Sequence, residues 1–452
     1  MMANFNSWVQ TSSDWLWGPP MLSLVLGVGL YLLIRLRAVQ FREFGRAVRQ
    51  LFQRSSNEDV GDITPFGALM TAIGGLVGNG NIAGVATAIT AGGPGALFWM
   101  WVSGLVGMGT MFAESVLGVR YRHRGADGLF VGGPMYYLRD ALGWRSIAAI
   151  FALGMAVKTL LATTTVQSNS IALIVQSELG WSPWVSCTIV SSITALVILG
   201  GVRSIARVSE ILSPFMGLLY LLAALVVLVA ARDAVIPALG LVILHAFSPV
   251  AATGGFLGAG VRQAFRFGIA RGVYSNEAGT GSVPIAHASA ICSSPAAQGR
   301  IAMLGVFIDT LVVSSATGLA LLATGVWTSG ADSTVLTAKA FSIGLGDLGG
   351  TAVLVASLLF GLSTLFTWAF YGEQCAAYLL GPRIRHPFRV LYCVAILGGS
   401  LAGARAIWAW ADLLNGLMAI PNLLGLVVLT SRVVALDKRH GDILSGPISI
   451  RT

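Results

Sequence analysis

Val77-Gly78-Asn79-Gly80-Asn81-Ile82-Ala83 and Ala278-Gly279-Thr280-Gly281-Ser282-Val283-Pro284 carry the same punctuation: glycine, polar, glycine, polar, then an apolar residue. Each lies inside a long apolar run. Glycine weakens a helix by ~1 kcal/mol and proline by ~3 kcal/mol, so the pattern predicts an unwound stretch within a helix. The same glycines also fit close helix packing, because Gly74, Gly78 and Gly80, Gly84 have small-xxx-small spacing. The polar Asn and Ser neighbours favour unwinding, since packing alone has no use for them. A dinucleotide-binding turn does not fit: the spacing is not G-x-G-x-x-G and no strand precedes it.

The surroundings of these stretches set the class of protein. The chain has 452 residues, of which 55% are apolar and 10% charged. A soluble domain carries about 25% charge, so a disordered chain, a disulfide scaffold and an ordinary cytosolic enzyme are excluded. An all-α polytopic membrane protein remains. About 20 apolar residues cross the hydrocarbon core as a helix. Eleven segments qualify: 20–37, 63–90, 95–120, 146–178, 183–201, 208–231, 265–291, 298–326, 350–380, 386–405 and 408–432. They are too long for barrel strands. The segment 234–247 is too short to span and reads as a helix at the membrane interface.

Charge gives the orientation. Of 28 Lys and Arg residues, 21 fall on one set of alternate loops and span ends, 5 on the other, and Lys158 and Arg271 lie within spans. Basic loops stay in the cytoplasm. This predicts an N-terminus outside, a C-terminus in the cytoplasm, and a multi-pass protein of the cell membrane. The net charge of +9 is thus a topology signal, with no call for nucleic acid. The first twenty residues lack the basic region of a signal peptide. Cys187, Cys292, Cys375 and Cys393 are far apart and read as free thiols. His123, His245, His287, His386 and His440 have no metal-ligand spacing.

After the first span, the other ten divide evenly. Five occupy 63–231 and five occupy 265–432. An odd number per half inverts one half relative to the other, which is a transporter architecture. The expected organisation is an extra N-terminal helix and loop (1–62), a first repeat (63–231), an extracytoplasmic connector (232–264), a second repeat (265–432) and a tail (433–452). Each repeat opens with one of the two glycine-punctuated stretches. Unwound backbone inside a bilayer is tolerated only around a protected cavity. A half-helix beginning there offers N–H groups to a carboxylate, and one ending there offers carbonyls to a cation. A zwitterion bound beside Na⁺ satisfies both.

At 78–95 (GNGNIAGVATAITAGGPG) the chain resembles the alanine or glycine:cation symporter family. The resemblance continues through FWMWVSGLVGMGTMFAE (98–114), GGPMYYL (132–138), VQSNSIA (166–172), RGVYSNEAGTGSVPIA (271–286), STLFTWAFYGEQ (363–374) and NGLMAIPNL (415–423). It implies a leucine-transporter-like inverted five-plus-five repeat with one extra N-terminal helix. It also implies Na⁺-driven uptake of small neutral amino acids, with Na⁺ as co-transported ion and no organic cofactor. Carried over residue by residue, it implies a substrate pocket of Asn81, Gln167, Tyr274, Thr364 and Trp368, with the N–H groups of Asn79 and Gly80 on the substrate carboxylate. It implies a sodium site of Gly74, Val77 and Phe360 carbonyls with Ser363 and Thr364 hydroxyls. Phe360, Ser363 and Thr364 share one helix face by spacing. Family members often have Thr at Asn79, Phe at Tyr274 and Gly at Thr367, so these three positions narrow or polarise the pocket here.

Other polar residues in spans also need a role. The run Lys158, Thr159, Thr163, Thr164, Thr165, Gln167, Ser168, Asn169 and Ser170 is expected to face the interior. Glu114, Glu210, Glu277, Asp309, Glu373 and Asp412 are expected to pair with Arg or to brace helix starts. Proton coupling through one of these acids is the alternative mechanism, and a channel a more distant one. The chain has no H-E-x-x-H, G-x-S-x-G or Walker-A sequence, which speaks against an enzyme.

Overall fold

The computed structural model describes residue 9 and residues 11–53, 59–125, 127–247, 260–331, 333–400 and 404–442. The helices that build the fold are α1 Pro19–Arg35, α2 Pro65–Leu76, α3 Gly80–Gly92, α4 Gly95–Arg120, α5 Arg145–Leu179, α6 Pro183–Ile198, α7 Gly201–Ala230 and α8 Arg232–Phe247. They continue as α9 Val261–Asn276, α10 Val283–His287, α11 Pro295–Ala323, α12 Ser333–Leu345, α13 Leu348–Leu380, α14 Arg385–Ile396 and α15 Ala404–Asp442. Strand structure among the described residues is limited to a two-residue ladder, His123–Arg124 with Phe130–Val131, and one bridge between Ile63 and Ala290.

The helix starts follow from local chemistry. Thr64, Ser182 and Ser294 each precede a proline at the first helical position. Their hydroxyls accept the backbone N–H of Gly67, Val185 and Ala297. Proline loses nothing there, because its missing N–H would have no intrahelical partner.

Six helices among the described residues are long and apolar enough to cross a membrane singly: α4, α5, α7, α11, α13 and α15 over Trp410–Lys438. The pair α2 and α3 does so together, bent by 49° at the break, and α1 and α6 are shorter apolar helices. The two other expected spans are divided. Segment 265–291 forms α9 and α10 around a loop. Segment 386–405 forms α14 and a 3₁₀ turn, Leu397–Ser400, beyond which 401–403 lie outside the described residues. Within the expected connector, 248–259 also lie outside them. The N-terminal residues 1–8, residue 10 and the tail from 443 onward do so too.

Burial sorts the helices into a centre and a jacket. In α13, 78% of the apolar window is buried, against 28% in α7. The exposed face of α7 carries Ile211, Phe215, Leu218, Leu222, Leu225 and Val229, a continuous apolar surface suited to lipid. Helix α1 packs on α4 and α15, and Trp17 Nε1 donates to the Asp412 carbonyl at 2.8 Å. Helix α12 was not expected from the sequence, being too short to span. It packs on α13 and α7, and Thr337 Oγ1 donates to the Ile82 carbonyl at 3.2 Å.

Candidate functional site

Both glycine-punctuated stretches are interruptions of the helical backbone. At the first, α2 ends at Leu76, the ψ of 95° at Val77 just beyond it is extended, and α3 restarts with a π-helical turn over Gly80–Gly84. Such turns mark functional positions in many helices. The freed Gly78 N–H donates to Asn81 Oδ1 at 2.9 Å. The Asn79 N–H donates to Gln167 Oε1 at 3.2 Å. At the second, Glu277, Gly279 and Gly281 have φ of 55°, 89° and 79°, left-handed values that glycine adopts without strain. Here the Gly281 N–H donates to Glu114 Oε1 at 3.0 Å, and Asn422 Nδ2 donates to the Gly279 carbonyl at 2.9 Å. Asn422 also donates to Glu114 and accepts from the Tyr137 hydroxyl.

The two breaks meet at one pocket. Gly75, Leu76, Gly78 and Gly80 line it from the first break, and Tyr274, Ser275 and Glu277 from the second. Helix α5 adds Lys158, Thr163 and Gln167, and α13 adds Thr364 and Trp368. The walls stand close, leaving about 10 Å³, roughly the room one water needs. A ligand larger than water therefore enters only as the walls part.

Of the residues expected at the substrate, Gly80, Gln167, Tyr274, Thr364 and Trp368 line this pocket. Asn79 and Asn81 have side chains that turn away into the protein. Asn79 Nδ2 donates to Gln167 Oε1 at 3.1 Å and to the Ser357 carbonyl at 3.3 Å, and its Oδ1 accepts from Ser357 at 2.7 Å. Asn81 Nδ2 donates to Asp309 Oδ1 at 2.7 Å and to Ser314 Oγ at 3.0 Å. These two asparagines hold the shape of the break. Lys158, Thr163, Ser275 and Glu277 also line the pocket, beyond the residues that the resemblance implies. Lys158 and Glu277 were already visible as charges inside apolar spans, which was the signal available.

Of the residues expected at the cation, Gly74 lies against Ser363 where α2 meets α13, and Thr364 bonds Phe360 there. A Cβ built on Gly74 would lie 2.5 Å from Ser363 Oγ, 3.2 Å from Thr367 Oγ1 and 3.4 Å from Ser213 Oγ. A Cβ on Gly78 would lie 2.4 Å from Thr364 Oγ1. Glycine thus keeps a hydroxyl-lined cradle open beside the end of α2. Thr364 Oγ1 donates to the Phe360 carbonyl at 2.9 Å. Ser363 Oγ is fully buried and finds no hydrogen-bond partner among the described residues. An orphaned buried oxygen is costly, and hard oxygen donors are what a small cation takes. The chemistry of these hydroxyl oxygens is compatible with a small cation such as Na⁺. Among the described residues there is no group of three or more His, Cys, Asp or Glu that could hold a metal.

The six acids of the spans all have partners. Glu114 and Asp309 brace the breaks as described. Glu210 accepts from Thr64 at 2.9 Å, Glu373 pairs with Arg389 at 2.6 Å, Asp412 pairs with Arg271, and Glu277 accepts from Ser282.

Comparison with known proteins agrees with this architecture. A crystal structure of MhsT with L-phenylalanine superposes with a TM-score of 0.58 at 14% identity, covering 84% of this chain and 99% of that one. A Na⁺-coupled sialic acid symporter in a substrate-bound outward-open state gives a TM-score of 0.51 at 11% identity, covering 93% and 86%. The fold is of the leucine-transporter type, and membership of its sequence family makes the chain a multi-pass secondary transporter, not an enzyme. The family follows from sequence. Residues 2–443 match the sodium:alanine symporter family, and the chain belongs to it. The sodium/alanine symporter AgcS of Methanococcus maripaludis is 40% identical over 97% of this chain and 98% of its own. The amino-acid carrier protein AlsT of Bacillus subtilis is 33% identical over 95% and 91%. Cation-coupled amino acid symport is thus the activity of the class.

Proposed function

We propose that the protein carries alanine or glycine into the cell together with Na⁺ by alternating access. The observation that carries this reading is the convergence of both helix breaks on one small pocket, with the orphaned Ser363 hydroxyl beside Gly74 a short way off. The Asn79 and Gly80 N–H groups receive the substrate carboxylate once Gln167 yields its hydrogen bond to Asn79. Gln167 and Thr364 complete the polar wall, while Tyr274 and Trp368 close over a side chain no larger than a methyl. Gly74, Val77, Phe360, Ser363 and Thr364 supply the oxygens for Na⁺.

Because the cation and the solute share Thr364 and the end of α2, each improves the other's binding, and the coupling is reciprocal. Binding of both stabilises a closed pocket. Rocking of the repeats 63–231 and 265–432 about it then opens the opposite side. The excess of basic residues on one set of loops favours a cytoplasmic C-terminus. The test is thermal unfolding of purified protein with a solute panel. Alanine or glycine should raise the melting temperature in Na⁺ far more than in K⁺. Equal stabilisation in both salts removes the sodium coupling, and stabilisation only on acidification transfers the coupling to protons.

A further inference from the structure

Lys158 is the one buried lysine among the described residues, with 2% exposure. An ammonium at membrane depth is expensive and calls for a function. Its Nζ donates to Asn415 Oδ1 at 2.8 Å and sits 3.9 Å from the centroid of the Trp368 ring. Among the described residues no carboxylate lies within 4 Å of it, the Glu277 carboxylate of the same pocket acting on it from further off. Arg271, at 5.8 Å from the Tyr274 ring, is by contrast paired with Asp412. The direct contacts of Lys158 are thus Asn415 and an aromatic face, where a desolvated cation binds strongly.

The ring lines the pocket and is fixed on other sides too. Trp368 Nε1 donates to the Gly75 carbonyl at 3.3 Å, in the last turn before the first break. Tyr371 meets the ring edge-on at 5.5 Å and 70°. The indole thus cannot tilt away from the pocket without losing the Gly75 hydrogen bond and the Lys158 ammonium together. We infer that Lys158 is a specificity-determining positioning residue: seated on Trp368 and tethered by Asn415, it holds the ring across the pocket and so sets the largest amino acid side chain the carrier accepts. This deepens the small-amino-acid reading and rests on it. A fixed apolar wall discriminates one methylene by about 10- to 200-fold, and a wall free to swing discriminates less.

The experiment is competition of glycine, alanine, 2-aminobutyrate and valine in Na⁺-driven uptake by proteoliposomes holding the wild-type chain, Lys158→Met or Lys158→Arg. In Lys158→Met, 2-aminobutyrate and valine gain on alanine, the alanine-to-valine ratio falling about tenfold, while Lys158→Arg keeps the wild-type ratio. An unchanged ratio in Lys158→Met, or an equal loss for all four solutes, marks a merely structural lysine and overturns the inference. Where Lys158→Met does not fold, Trp368→Phe must relax the same ratio in the same direction, and an unchanged ratio there overturns it equally. Failure of the functional reading looks different, because the wild-type chain itself then takes up none of the four.

Discussion

Asn81 Nδ2 donates to Asp309 Oδ1 at 2.7 Å, and Ser275 Oγ donates to the same carboxylate oxygen at 3.0 Å. One buried carboxylate on α11 thereby ties the restart of the first broken helix to the last turn before the second. Thr310 Oγ1 holds the other oxygen at 2.7 Å. The two breaks are thus parts of one polar network, which satisfies backbone that would otherwise be unpaired at membrane depth.

Cutting that network should damage both breaks at once. Asn81→Ala strands the Gly78 N–H and removes one donor to Asp309, and an unsatisfied buried group costs about 1–3 kcal/mol. The expected outcome is a clear drop in melting temperature together with loss of uptake. Thermal unfolding in detergent, beside uptake by the same preparation, checks it. An unchanged melting temperature shows that the network does not support the break.

Ser363→Ala separates the cation cradle from simple packing. The hydroxyl has no partner among the described residues, so its removal should leave stability in Na⁺-free buffer unchanged or slightly higher, and abolish most of the stabilisation by Na⁺. Thr364→Ala should weaken Na⁺ dependence strongly while also reducing substrate affinity. Gly74→Ala puts a methyl 2.5 Å from Ser363 Oγ and should eliminate Na⁺ stimulation. A Na⁺ titration of uptake reads all three, and curves like that of the wild-type chain remove the site from α2 and α13.

The second break depends on glycine at Gly279, where φ is 89° and a Cβ would lie 2.8 Å from Leu423 Cδ2. Gly279→Ala should cost about 1–3 kcal/mol through backbone strain alone and lower transport further by displacing Leu423. Unaltered thermal stability would mean that the loop takes another conformation in the working protein.

Glu114 accepts from Gly281 N–H and from Asn422. Glu114→Ala leaves the Gly281 N–H bare, while Asn422 Nδ2 keeps the Gly279 carbonyl, and should destabilise by about 1–3 kcal/mol. Glu114→Gln retains an acceptor oxygen and should be milder. The order of the two melting temperatures is the check, and equal values argue that Glu114 braces nothing.

The breaks were legible because glycine and polar residues in an apolar run admit few physical readings. The lining of the pocket by Gly80, Gln167, Tyr274, Thr364 and Trp368 was legible only through resemblance to relatives, because no spacing rule joins residues from α3, α5, α9 and α13. The inward turn of Asn79 and Asn81 was not legible at all. Their amides fit a ligand or a neighbour equally well, and the choice was made by Ser357, Gln167 and Asp309, which lie far away in sequence. Helix α12 escaped because 13 residues cannot span, and its burial comes from α7 and α13 rather than from its own pattern. The basic charges gave an orientation but no sign that Lys158 would rest on Trp368.

The central claim is coupling of a small neutral amino acid to Na⁺ through the paired breaks. Its most direct measurement is uptake of labelled alanine and glycine into proteoliposomes under an inward Na⁺ gradient, compared with K⁺ at the same pH and ionic strength. The account predicts concentrative uptake with Na⁺ and none above the passive level with K⁺. Equal uptake under the two conditions would contradict it.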